Sequence, residues 1–172
     1  FANWLEDMID LRLVPGAAGA PAGVDTYTYT NIGAARTMGV SLDASFRARS
    51  WLRAEVGWSY LFTRDETAQR PLPARPPHTL QAGVFLSLPD GIEALARCRF
   101  VTDVYIDDST RAPGFATLDA RIAKSLGAHA RVYAGALNLL GVQKDPNHAG
   151  DTRPVEGRTF YAGASADFPW ES

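Results

Sequence analysis

Met38-Gly39-Val40-Ser41-Leu42-Asp43-Ala44-Ser45-Phe46-Arg47-Ala48, followed three residues later by Leu52-Arg53-Ala54-Glu55-Val56-Gly57-Trp58-Ser59-Tyr60-Leu61-Phe62, decides how this chain is read. Every even position in both runs is apolar, and the odd positions are Gly, Ser, Asp, Arg, Glu and a single Leu. A helix would repeat its apolar residues at i+3 and i+4. Strict alternation is the period of a strand with one oily face and one wet face. The parity continues through Leu80–Leu88, Ile92–Phe100, Ala116–Ile122 and Phe160–Phe168, while the odd positions include Arg97, Arg99, Asp119 and Arg121.

Working outward, the pattern predicts eight strands at about 3–14, 25–48, 51–64, 78–88, 92–105, 115–126, 130–141 and 158–168. The first has mixed parity. In the seventh, Tyr133, Leu137 and Leu139 share the odd face, opposite Asn138. The second is long, and Gly33-Ala34-Ala35 marks where it could kink, since Gly in a strand often signals a bulge; it is read as one strand. Connections alternate in length. Short ones fall at Ala48-Arg49-Ser50, Pro89-Asp90-Gly91 and Gly127-Ala128-His129, with Pro89 fixing φ and Gly91 accepting a positive one. Long ones fall at 15–24, 65–77, 106–114 and 142–157.

Composition narrows the classes. With 172 residues, 46% hydrophobic and 21% charged, the chain has the make-up of a folded protein rather than a disordered or collagen-like one. A net charge of −2 with scattered Lys and Arg leaves no basic footprint for nucleic acid. The single cysteine, Cys98, can form neither an internal disulfide nor a cysteine-based zinc site. No apolar run approaches the roughly 20 residues of a spanning helix, which leaves membrane β-barrels open because their strands alternate. Phe1 is not an initiator Met, and Phe1–Ile9 reads as the inside of an element without a secretory leader, so a piece of a larger protein is expected.

Three architectures share this pattern. One is a soluble lipocalin-like binding barrel with the oily face inside. The second is a self-contained, closed eight-stranded outer-membrane barrel with a structural or adhesion role. The third is part of the wall of a larger membrane barrel. The membrane readings are favoured by an oily face long enough for crossings of about 9–11 residues. They are favoured also by aromatics near strand ends (Phe46, Trp51, Tyr60, Phe62, Phe160, Phe168), by charges of both signs on the wet face, and by tight turns alternating with long loops. An open wedge in lipid would leave two unpaired edges, at several kcal/mol per unsatisfied backbone group, so the strands must close or pair with others.

Asn31-Ile32-Gly33-Ala34-Ala35-Arg36-Thr37-Met38-Gly39-Val40, Trp58-Ser59-Tyr60, Arg75-Pro76-Pro77-His78-Thr79-Leu80, Asn138-Leu139-Leu140, Gly157-Arg158-Thr159-Phe160-Tyr161 and a closing Phe168 follow one another in the chain. In that order they resemble the C-terminal third of TonB-dependent outer-membrane receptors, nearest to the cobalamin and iron-siderophore group. The resemblance implies an all-β, antiparallel up-and-down transmembrane barrel of about 22 strands, of which these are the last eight. It implies residues 1–168 as barrel segment, 169–172 as a tail, and the long connections outside a Gram-negative cell. It also implies import of a scarce nutrient (iron-siderophore, haem or cobalamin class). The partners would be outer-membrane lipid, the metal chelate or cobalamin, TonB through an N-terminal part that this chain lacks, and the barrel assembly machinery reading the final strand. Two departures stand out: Ser41 where the family usually has Glu, and Pro169-Trp170-Glu171-Ser172 beyond the terminal aromatic.

No catalytic constellation is visible, so no enzyme, cofactor or metal is expected. His78, His129 and His148 are read as loop residues, and Asp107-Asp108 and Asp145/Asn147/Asp151 as solvated carboxylates rather than cation ligands. Binding, if it falls on this chain, belongs to external loops on a rigid scaffold, with Arg75, His78, Asp107, Asp108, Arg111, His148 and Arg153 as candidates. Asn31, Gly33, Gly39, Asn138, Gly157, Arg158 and Phe168 are expected to be structural, Gly157 for a close backbone approach and Arg158 for the lumen or rim.

Overall fold

Antiparallel pairing turns the alternation into one sheet. The computed structural model describes residues 1–13, 26–106, 110–145, 151 and 153–167. Its strands are β1 (Ala2–Leu13), β2 (Tyr27–Arg49), β3 (Leu52–Asp65), β4 (His78–Leu88), β5 (Ile92–Val101), β6 (Val104–Tyr105), β7 (Arg111–Ala112), β8 (Phe115–Leu126), β9 (Ala130–Leu137) and β10 (Thr159–Ala166). Eight of them form a single up-and-down sheet in the order β1-β2-β3-β4-β5-β8-β9-β10, and β6 and β7 make a small ladder of their own between β5 and β8. Among the described residues no helix is long and apolar enough to cross a membrane.

The sheet is open. No ladder joins β1 to β10 among the described residues, which corrects the closed eight-stranded reading. Several odd-face side chains find partners along the same wall. Arg53 lies 4.3 Å over the Phe85 ring, Arg121 lies 4.6 Å over Tyr133, and Arg131 is ion-paired with Glu93. The oily face is turned outward, with Leu42, Phe46 and Phe160 61%, 67% and 70% exposed. That corrects the lipocalin-like reading, in which these residues would fill a core. So large an apolar surface needs a covering medium or partner.

The second strand runs unbroken past Gly33, and the irregularity sits opposite it, at Asp7 (φ 52°) in β1. Gly33 answers to a different demand, since a Cβ there would lie 3.1 Å from the Thr67 hydroxyl of the following loop. At the short turns, Asp90 and Gly91 both take positive φ (60° and 67°), as does Gly127 (73°). The fifth strand ends at Val101 rather than 105, where Gly114, next to its ladder partner Phe115, lies close against the backbone of residues 101–103. A Cβ on Gly114 would come within 2.6 Å of the Val101 carbonyl, and the strand breaks there before resuming as β6. The seventh strand stops at Leu137, where Asn138 turns to φ 48°.

The register of β9 assigns its faces, which the alternation alone left open. Ala130, Val132, Ala134 and Ala136 pair with the outward even residues of β8, so Tyr133 lies on the wet face with Arg121. There two tyrosines occupy space that two glycines leave free. A Cβ on Gly135 would be 2.5 Å from the Tyr161 ring, and one on Gly163 would be 2.5 Å from the Tyr133 hydroxyl. The rings sit 6.4 Å apart, tilted by 58°. Gly163→Ala, whose Cβ would meet only the Tyr133 side chain, should therefore cost about 1–3 kcal/mol by overpacking, and Tyr133→Ala in the same chain should recover much of it. A double-mutant cycle from urea titrations measures the coupling; additive losses would remove this reading of the glycines.

Candidate functional site at the long-loop end

Three long connections meet at the end of the sheet away from the tight turns. The chain from Glu66 to Pro77 folds back on β2 and β3. The Asp65 carboxylate accepts from Thr67 and Ala68 N–H (2.9 and 2.8 Å), Leu72 N–H donates to the Thr63 hydroxyl, and Leu72 is buried against Ala35 with Met8 beside it. This loop touches the next one through Ala74 N–H, which donates to the Tyr105 carbonyl at 2.8 Å.

The third connection is tied down by two polar side chains. Asn138 accepts from Val142 N–H (3.0 Å) and donates through Nδ2 to the Val142 and Glu156 carbonyls (2.9 and 2.8 Å), and its own N–H donates to Asp119 (2.8 Å). It thus joins both ends of the loop to the sheet. Arg153, 6% exposed, donates to both Asp151 carboxylate oxygens, to the Thr102 carbonyl (3.0 Å) and to the Pro113 carbonyl (2.7 Å), and stacks 5.0 Å from the Phe115 ring. Burial pushes the Asp151 carboxyl up, but hydrogen bonds and charge from Arg153, with Lys144 adding a smaller share, outweigh it and hold the group below its ordinary 3.8.

The sequence candidates divide accordingly. Arg75 is exposed on the first of these loops. Arg111 is exposed as well, paired with Asp103 at 2.6 Å and lying 4.7 Å over the Tyr105 ring. Arg153 is a buried clamp. His78 opens β4 on the outward face, packed against Trp58 and Tyr60 (ring centroids 5.9 and 5.0 Å), its backbone paired with Thr102. It therefore lies among the aromatics of the oily face rather than with Arg75 and Arg111. Asp107, Asp108, His148 and Phe168 lie outside the described residues, as does the tail 169–172.

Among the motif residues, Gly39 lies under the Phe1 ring and Asn31 pairs with Ile9 in the β1–β2 ladder. The close approach expected at Gly157 falls instead at Gly141 (φ 64°), over which the Arg158 guanidinium packs; a Cβ on Gly157 would meet nothing within 4 Å. Thr102 was not singled out from sequence, and Asp151, read there as a solvated loop carboxylate, is instead buried and engaged by Arg153. The only local hint was the short spacing of Asp151 and Arg153, because their other partners are some 40–51 residues away. Chemically, the end of the sheet offers exposed guanidinium groups suited to anionic ligands. Asp151 is engaged by Arg153, and among the described residues no three His, Cys, Asp or Glu side chains converge on a metal position.

A family model described as TonB dependent receptor-like, beta-barrel, matches residues 1–139. No curated protein sequence matches the chain. Among solved structures, the copper transporter OprC superposes with a TM-score of 0.73 at 22% identity, over 97% of this chain and 28% of that one. The ferric enterobactin receptor of Pseudomonas aeruginosa in complex with enterobactin gives 0.70 at 18% identity, with the same coverage. The ferric-catecholate import receptor Fiu of E. coli K12 gives 0.66 at 17%, over 97% of this chain and 24% of that one. At these identities the likeness is one of fold, and this chain spans little more than a quarter of the structures it matches.

Proposed function

The chain belongs to the family of TonB-dependent receptor β-barrels, and from that premise we propose that it forms eight consecutive strands in the wall of an outer-membrane nutrient importer. The family is one of receptors and transporters rather than enzymes, and its barrels are characteristic of the Gram-negative outer membrane. One observation carries the proposal: an open up-and-down sheet, oily outside and charged inside, with both edges unpaired among the described residues. Further strands of the same barrel would satisfy those edges, which lipid cannot. In this reading residues 1–168 are barrel and 169–172 a tail, energy arrives from TonB through a part outside this chain, and the assembly machinery reads the final strand.

The ligand we propose is a metal chelate of the siderophore class rather than cobalamin. Support comes from the ferric enterobactin and ferric-catecholate receptors among the structural neighbours and from Arg75 and Arg111 standing exposed beside one another's loops. Guanidinium groups recognise the negative charge of a ferric catecholate. The receptor carrying this chain, purified in detergent from outer membranes, should bind a ferric catecholate in titration calorimetry, and R75A with R111A should weaken it about tenfold. Recovery in the soluble fraction would overturn the membrane reading; unchanged affinity in the double variant would overturn the two arginines.

A further inference from the structure

The oily face is not evenly filled. Between β4 and β10 it is hollowed into an apolar furrow of about 540 Å³, whose floor is Ala94, Ala96, Ala120, Ala134 and Ala136. Val84 and Leu86 form one bank, and Phe160 and Leu139 the other. A second hollow of about 340 Å³ shares Ile122 and Ala134 with the first and continues to Lys124 and Val132. The two make one channel running toward the tight-turn end of the sheet.

Lys124 is out of keeping with its surroundings. Its parity puts it on the outward face, in register between Ile92 on β5 and Val132 on β9, and it makes no ion pair among the described residues. It is two residues from the end of β8, the level at which a long cationic side chain can reach the membrane–water boundary while its stem stays in hydrocarbon. Four residues separate it from Ala120, a distance of about 13 Å along the strand. An apolar channel leading to a lone cation has the shape and charge of one ligand chemistry, a long hydrocarbon chain ending in a phosphate.

We propose that this furrow is a binding site for one glycerophospholipid of the leaflet on the tight-turn side, an acyl chain lying along Ala96, Ala120 and Ala136 and the phosphate diester on the Lys124 ammonium. The site rests on the outer-membrane reading above. An acyl chain restores the contacts that small side chains leave unmade, since a gap has no partner atoms on one side. The ammonium gains the anion that neighbouring side chains do not supply.

The test uses the whole receptor that carries this chain, purified in a mild non-ionic detergent and examined by native mass spectrometry with added dioleoylphosphatidylglycerol. The wild-type protein should retain one lipid. K124Q should lower the retained fraction about fivefold, the effect of one lysine at a charged membrane surface, whereas K124R should keep it. A120L, which fills the furrow, should lower it comparably, and A44L, on the outward face of β2 away from the furrow, should leave it unchanged. Heat-dependent gel mobility checks that each variant is folded. Unchanged retention in K124Q or A120L overturns the site. So does equal loss in A44L, which would mean lipid coating the whole surface, or a dimer that A120L dissociates, which would give the furrow to a second copy. A receptor that needs no detergent fails the membrane reading instead, an outcome seen at extraction before any lipid is added.

Discussion

Val84→Arg should destabilise the receptor barrel refolded into lipid vesicles by about 2–4 kcal/mol, and Val56→Arg by a similar amount, the cost of a cation at the middle of a bilayer-facing strand. Val84 is central in β4, in register with Ala54 on one side and Ala96 on the other, all on the outward face. The control is an arginine of opposite parity. Ser45 lies on the wet face opposite Glu55, and Ser45→Arg should stay within about 0.5 kcal/mol of wild type, as substitutions on a hydrated surface usually do. Urea titration followed by tryptophan fluorescence reads all three. Equal midpoints for Val84→Arg and wild type would mean that the even face does not meet lipid, and the placement of the sheet in a membrane would fall with it.

That contrast depends on parity alone, which is why so much of the wall was legible. A period of two assigns a face to every residue once a single strand is oriented, and Met38–Phe62 orients two. The faces of β9 were harder to read because its even residues are mostly alanine while its odd ones include Tyr133 and Leu137, so alternation left them unassigned; pairing with β8 assigns them. Strand ends were less legible for a different reason. β5 ends at Val101, where Gly114 from the following loop lies close against its backbone, and β9 ends at Leu137, where Asn138 bonds to residues up to 19 positions away. Neither constraint is local. The candidate site suffers most from this: Arg153 and Arg111 look alike in the sequence, yet one is buried between three backbone segments and the other stands in solvent with Asp103. Residue type indicated which side chains could meet an anion, and only the fold shows which of them are already engaged.

Arg153→Met should unfasten the loops without unfolding the wall. The substitution removes every donor that holds the Thr102 and Pro113 carbonyls and leaves the Asp151 carboxylate, 6% exposed, without its guanidinium. Breaking a buried ion pair from one side costs about 3–5 kcal/mol. Here the loss falls on the loops, because the β-ladders take no bond from Arg153. Hydrogen exchange at residues 102–106, 110–114 and 153–157 should speed up accordingly, while amides in the middle of β3, β4 and β5 stay as protected as in wild type. The same clamp has a sign in pH. Asp151 is held below 3.8 in the folded loop, so its contribution is complete above the unfolded value and is lost as pH falls from there through the folded one. A nitroxide at Pro154→Cys, with Cys98→Ser removing the native thiol, should stay immobilised from neutrality to about pH 4 and become mobile below the ordinary carboxylate value. In Arg153→Met it should be mobile throughout. Because the first loop hangs on the second through Ala74 and Tyr105, freeing Arg153 should also loosen the segment that carries Arg75, and ferric-catecholate affinity should fall even though Arg153 itself touches no ligand. A line shape and an affinity unchanged by the substitution would mean that the loops are held by something other than this pair.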